Sequence, residues 1–141
     1  MGLFQESTVK PNILYLHCHD AGRYIETYGH NIPTPHLRRL AEQGVLFRQA
    51  FAAGPTCSPS RAALLTGQSP HNAGMLGLAH FGWRLNEPRQ HLIHCLQQAG
   101  YTSVLCGEQH LTSYRPSTRP NPVGYDCVLR PALRQVFRER R

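Results

Sequence analysis

An alternation of two periods constrains this chain more than any other feature. Short apolar, β-rich runs at residues 12–20 (NILYLHCHD), 45–53 (VLFRQAFAA) and 101–107 (YTSVLCG) alternate with segments whose apolar residues recur at helical spacing. The first run, bounded by Pro11 and by Ala21-Gly22, has the pattern of a buried central strand, with His17 and His19 on one face and Cys18 on the other. By this pattern His17 is a packed strand histidine. Residues 34–44 place Leu37, Leu40 and Ala41 on one helical face, with Thr34 as N-cap, Pro35 in the first turn and Gly44 as the stop. A second short helix follows Cys57 through Ala62, Ala63, Leu64 and Leu65 and ends at Gly67. A third carries Leu92, Ile93, Leu96 and Ala99 ahead of Gly100. Strands alternating with helices over this length predict an α/β fold with parallel connections.

The intervening stretch SPHNAGMLGLAHFGW is rich in glycine and reads as a functional loop rather than core. At 141 residues, with 40% hydrophobic and 16% charged residues, the chain has enough apolar material for one domain with a core. The net charge of +7 is unevenly spread. Residues 128–141 hold five arginines against the single acid Glu139 and carry +4 of it. The rest is mildly basic and lacks the aromatic-interleaved basic stripe that single-stranded nucleic acid requires, so no nucleic-acid partner is expected. Leu133, Val136 and Phe137 within the tail are spaced for a short amphipathic helix, which reads as a solvated face. The five cysteines are scattered, odd in number and without a CxxC pair, which excludes a disulfide framework and a zinc knuckle. With neither a signal-peptide pattern nor a membrane-length apolar segment, the expected location is cytoplasmic and no membrane partner is expected.

In open α/β sheets ligands gather at the carboxyl ends of strands. Three polar clusters fall there: His17, His19 and Asp20; Cys57; and Glu108, Gln109 and His110. Cys57 stands at a helix mouth, where unpaired N–H groups and the helix dipole favour a thiolate, and Arg61 one turn later adds positive charge. The same mouth with a guanidinium can hold sulfate or phosphate. A small buried hydrophobe is an equal reading of Cys57 on these arguments alone.

The residues CSPSRAALLTG, through Cys57, Pro59, Ser60, Arg61, Thr66 and Gly67, match the signature C-x-P-S-R of the sulfatase family. The resemblance covers about residues 11–111: KPNILYLHCHDAGRY is similar to the family's opening strand and metal-binding turn, and LIHCLQQAGYTSVLCGEQHL to a later helix and strand. HNAGMLGL is similar to the heparan N-sulfatase (sulfamidase) branch. The resemblance implies the N-terminal portion of an alkaline phosphatase-like mixed sheet flanked by helices. It divides the chain into an N-terminal extension (1–10), a partial catalytic domain (11–127) and a basic tail (128–141).

The family's activity is sulfuric ester or sulfamate hydrolysis. It implies that a formylglycine-generating enzyme converts Cys57 to formylglycine, with Pro59 and Arg61 in the modification signal. The hydrated aldehyde attacks sulfur, releases the alcohol or amine, and then eliminates sulfate. Arg61 would hold the hydrate, and His110 would contact sulfate or act as general acid. Where the family commonly has G-K-x-H this chain reads Gly107, Glu108, Gln109, His110, and a carboxylate at 108 would repel sulfate unless it turns away or binding is built differently. The implied cation is calcium, with Asp20 and His19 at the family's first acidic pair and the modified Cys57 in the shell; imidazole is an unusual calcium ligand. His71 and His80 are candidate substrate contacts, and the implied partner is a sulfated small molecule or glycan.

The family's second acidic pair has no counterpart after Gly107, where the carboxylates are Glu108, Asp126 and Glu139. The chain is therefore expected to be an N-terminal fragment, inactive alone. The alternatives are a non-catalytic remnant with weak anion binding, or a phosphonate or phosphate ester hydrolase of the same superfamily.

Overall fold

The computed structural model describes residues 10–112 and 123–129. The tail pattern at 133–137 lies outside them. The chain divides into two compact units, Met1–Leu46 and Phe47–Arg141.

In the first unit a turn of 3-10 helix, Glu26–Tyr28, leads to helix α1, Pro35–Gln43. Pro35 opens α1 as the sequence predicts, since its missing N–H would be unpaired in the first turn anyway. Thr34 caps in an unexpected way. Its hydroxyl accepts from the Glu26 N–H (3.2 Å) instead of from α1, while its own N–H donates to the Glu26 carboxylate (3.3 Å). Arg38 completes the knot by donating to the other Glu26 oxygen at 2.7 Å.

The predicted buried strand at 12–20 does not form. These residues are exposed and without regular structure, with Leu14 81% exposed. The ring of His17 stacks on Tyr15 instead of packing into a core. The predicted strand at 45–53 is likewise absent, and Phe51 is 90% exposed. An apolar run becomes a strand only when a neighbour pairs its N–H and C=O groups, and no described segment pairs with either run.

The second unit holds helices α2 (Cys57–Thr66), α3 (Pro70–Ala73) and α4 (Leu92–Gln98) and strands β1 (Val104–Cys106) and β2 (Cys127–Leu129). The strands pair in parallel with Val104 opposite Cys127 and Cys106 opposite Leu129, so the predicted parallel connection is present in a small sheet. Asp126 fastens them. Its carboxylate accepts from the Ser103 N–H (2.6 Å), the Ser103 hydroxyl (2.7 Å) and the Gln97 amide (3.1 Å). Those donors favour the charged form and hold its pKa at about 2.

The core joins Ala62 of α2, Ala73 of α3, Met75, Leu85, Ile93 of α4, Leu111 and Val123, with Leu65 and Tyr125 against it. The glycine-rich stretch after α2 therefore contributes to the core as well as to loops. Gly77 shows why glycine is required there: an added Cβ would lie 2.3 Å from the Trp83 indole nitrogen. His91, fully buried, caps α4 by accepting from the Ile93 N–H at its Nδ1 (3.1 Å).

Candidate active site

Cys57 is the first residue of α2 and is half-buried as a free thiol. Thr56 ahead of it is extended (φ −113°, ψ 157°), which turns the chain abruptly into the helix and places Cys57 at its mouth. Two neighbours fix that mouth. Pro59 is buried and has no N–H to leave unpaired in the first turn. Ser58, 1% exposed, accepts through its hydroxyl from the Ala79 N–H at 3.0 Å, tying the start of α2 to the 3-10 turn Ala79–Phe81. Gly67 ends α2 at φ +70° and returns a hydrogen bond to the Ala63 carbonyl (2.9 Å).

Arg61 lies four residues after Cys57, so the two share a face of α2. Its Nη1 donates to the Glu108 carbonyl at 2.7 Å, which binds the motif helix to the loop leaving β1. Its Nε is buried and has no hydrogen-bond partner among the described residues. Glu108 also faces His110, with its Oε2 2.5 Å from the ring Nε2. The carboxylate thus turns toward a histidine of the same loop. Arg61, Glu108 and His110 are joined in one continuous set of contacts, and Cys57 stands on the same helix as Arg61.

Sequence reading missed Ser58, which occupies the unspecified position of the C-x-P-S-R pattern. It named Glu108 in the polar cluster after the third apolar run, as a misfit beside sulfate unless it turned away, and both residues make contacts across long sequence separations, 21 and 47 residues. His71 lies on α3 and His80 on the turn Ala79–Phe81, both exposed, with the His80 ring 4.3 Å from Phe81.

His19 and Asp20 belong to the first unit and face each other, with Nε2 and Oδ2 3.4 Å apart. Two such donors do not fit a calcium shell, which takes six to eight oxygens, and the described residues contain no group of three or more His, Cys, Asp or Glu side chains placed to hold a metal ion. One backbone feature nevertheless marks these positions. Among the described residues, only Asp20 (φ 53°) and His110 (φ 56°) are non-glycine residues in the left-handed region. Aspartate and histidine enter it more readily than most residues, yet each pays roughly 1 kcal/mol or more to stay. Both positions are ones at which the sequence suggests chemistry.

The sulfatase family model matches residues 11–140. The chain is 40% identical to an N-acetylgalactosamine-6-sulfatase of Sus scrofa over 82% of its own length and 24% of the relative's. It is 34% identical to an N-acetylglucosamine-6-O-sulfatase of Bacteroides thetaiotaomicron, covering 86% of this chain and 20% of that protein. To a human N-sulphoglucosamine sulphohydrolase it is 40% identical, over 71% and 20% respectively. The chain thus spans between a fifth and a quarter of the length of these relatives. No solved structure matches it. No helix among the described residues is long and apolar enough to cross a membrane.

Proposed function

We propose, from the premise that this chain belongs to the sulfatase family, that it carries the nucleophile and part of the anion site of a hydrolase for sulfate esters or sulfamates. The observation that carries this reading is the contact between Arg61 and the Glu108 carbonyl, 2.7 Å, which draws the C-x-P-S-R helix and the His110 loop together. A nucleophile at a helix mouth, a guanidinium on the same face and an imidazole tied to that guanidinium through one loop are the parts that transfer of a sulfuryl group needs.

Each residue then has a definite task. Cys57 is the precursor of formylglycine, whose hydrated aldehyde supplies an oxygen nucleophile that a thiol does not. Arg61 orients the nucleophile and offsets the negative charge of the sulfate. His110 gives a proton to the leaving oxygen or nitrogen. Asp20, with His19 beside it, contributes to holding a divalent cation, and these two do not complete a calcium site. His71 and His80 are substrate contacts. A sulfated sugar is the substrate class favoured by the names of the relatives, which are sugar sulfatases.

The test is a side-by-side assay of sulfate-ester, sulfamate and phosphate-ester substrates on a protein that continues this chain to the length of its relatives, after co-expression with a formylglycine-generating enzyme. Turnover of a sulfate ester or sulfamate that disappears in Cys57→Ala is expected. A preference for the phosphate ester moves the protein to the phosphohydrolases of the same superfamily. Anion binding without turnover of any substrate makes the chain a non-catalytic remnant.

A further inference from the structure

We propose that Glu108 is a positioning residue that fixes the ring of His110 while its main chain anchors Arg61. The proposal rests on the sulfatase reading for the roles of His110 and Arg61, but its geometry stands independently. Gly107, at φ +105°, takes the chain out of β1 while its N–H continues the ladder to the Leu129 carbonyl (3.1 Å), so Glu108 leaves a hydrogen-bonded strand end. From there its carbonyl accepts from Arg61 Nη1 (2.7 Å) and its carboxylate meets His110 Nε2 (2.5 Å). Beyond His110 the loop is pinned again: Leu111 is fully buried in the core, and the Gln109 amide donates to the Thr112 hydroxyl at 2.6 Å. His110 is thus held in a left-handed conformation between a fixed strand end and a buried leucine, with its ring orientation set by the carboxylate.

The chemical consequence is specific. A carboxylate oxygen only accepts, so Nε2 carries a proton toward Glu108; the form that gives a proton to the leaving group is the imidazolium, which delivers its Nδ1 proton while the Nε2–H stays with Glu108. This also explains how an acid is tolerated next to an anion site: its charge is directed at His110 and only its neutral carbonyl contacts Arg61.

The test uses the 141-residue chain and its Glu108→Ala and Glu108→Gln variants. NMR of the histidine ring nitrogens is expected to show a protonated Nε2 at His110 with a downfield-shifted resonance in the wild type. That signal is lost in Glu108→Ala and retained in weakened form in Glu108→Gln. The Arg61 guanidinium resonances stay in place in both variants, because their partner is main chain. In a protein that continues this chain to the length of its relatives, Glu108→Ala is expected to lower kcat roughly 10-fold at unchanged KM, with Glu108→Gln restoring most of it. A His110 ring proton identical in wild type and Glu108→Ala overturns the proposal, as does a raised KM at unchanged kcat, which would place Glu108 in substrate binding. A protein extended to the length of the relatives that keeps the ring signature but turns over no sulfate ester overturns the sulfate-ester reading and supports the pairing.

Discussion

The two units differ in what holds them. Among the described residues the first unit, up to Leu46, has a well-formed helix but no buried residue, whereas the second, from Phe47, contains the whole core. In the first, α1 is supported by local groups: Pro35 at its start and the knot of Glu26, Thr34 and Arg38. Leu37 and Leu40 on its apolar face are 42% and 61% exposed, so little burial contributes. In the second, residues from α2 to Val123 meet in one cluster. Short-range hydrogen bonds are enough to shape a helix, while strands and cores depend on contacts distant in sequence.

The largest expected effect falls in the second unit. Under the proposed function, Cys57→Ala removes the nucleophile and lowers turnover at least roughly 10³-fold without changing the far-ultraviolet circular dichroism. Under the same proposal Asp20→Ala, in the first unit, is expected to raise the divalent-cation concentration needed for half-maximal turnover while leaving the second unit's unfolding midpoint unchanged. A common loss of fold in both variants would erase the distinction between the units.

Next comes packing. Ile93, 5% exposed in the core, is expected to cost about 2–4 kcal/mol on replacement by alanine, measured by urea unfolding. Leu14→Ala, at a position 81% exposed, should stay within about 0.5 kcal/mol. Equal costs would show that residues 12–20 are buried in solution.

The core also has a pH limit. Burial of His91, with His94 adding repulsion, pulls its pKa from 6.5 down to about 4. The other group facing the ring is Tyr125, edge-on at 5.6 Å, whose own pKa is raised by burial. Between these limits the unfolded chain binds a proton that the folded chain does not, so stability rises with pH. The contribution is fully present above about 6.5 and is lost as pH falls toward 4, amounting to up to about 3 kcal/mol. Protonation would also take away the Nδ1 lone pair that caps α4. Unfolding free energies measured across this range should slope in the wild type and lie flat in His91→Asn, which keeps a capping acceptor without titrating. Parallel slopes would assign the pH dependence to other groups.

The smallest effect returns to the first unit. Thr34→Ala removes the hydroxyl that accepts from the Glu26 N–H while keeping the main-chain bond to the Glu26 carboxylate, and should weaken α1 by about 1 kcal/mol, seen as faster amide exchange over 35–43 with no change in the second unit.

The same contrast explains what was legible in the sequence. Helices α1 and α2, their stops at Gly44 and Gly67, the helix after His91 and strand β1 could be read from spacing and end signals within a few residues of each other. The runs at 12–20 and 45–53 have the composition of strands, but composition does not supply a ladder partner. β2 went unread for the converse reason: three residues beside an arginine-rich tail become a strand through pairing with β1. At the site, Cys57 and Arg61 were legible because one motif contains both. Glu108 looked out of place because its contacts are with Arg61, 47 residues earlier, and with a ring two residues later.

Under the proposed function Cys57 serves as the precursor of an aldehyde rather than as a thiol. Mass spectrometry of the tryptic peptide from Gln49 to Arg61, after co-expression with a formylglycine-generating enzyme, tests it directly. The expected peptide carries, in place of the thiol, an aldehyde that reacts with hydrazide reagents. A peptide that retains an alkylatable thiol throughout, in a protein that still hydrolyses sulfate esters, would contradict it.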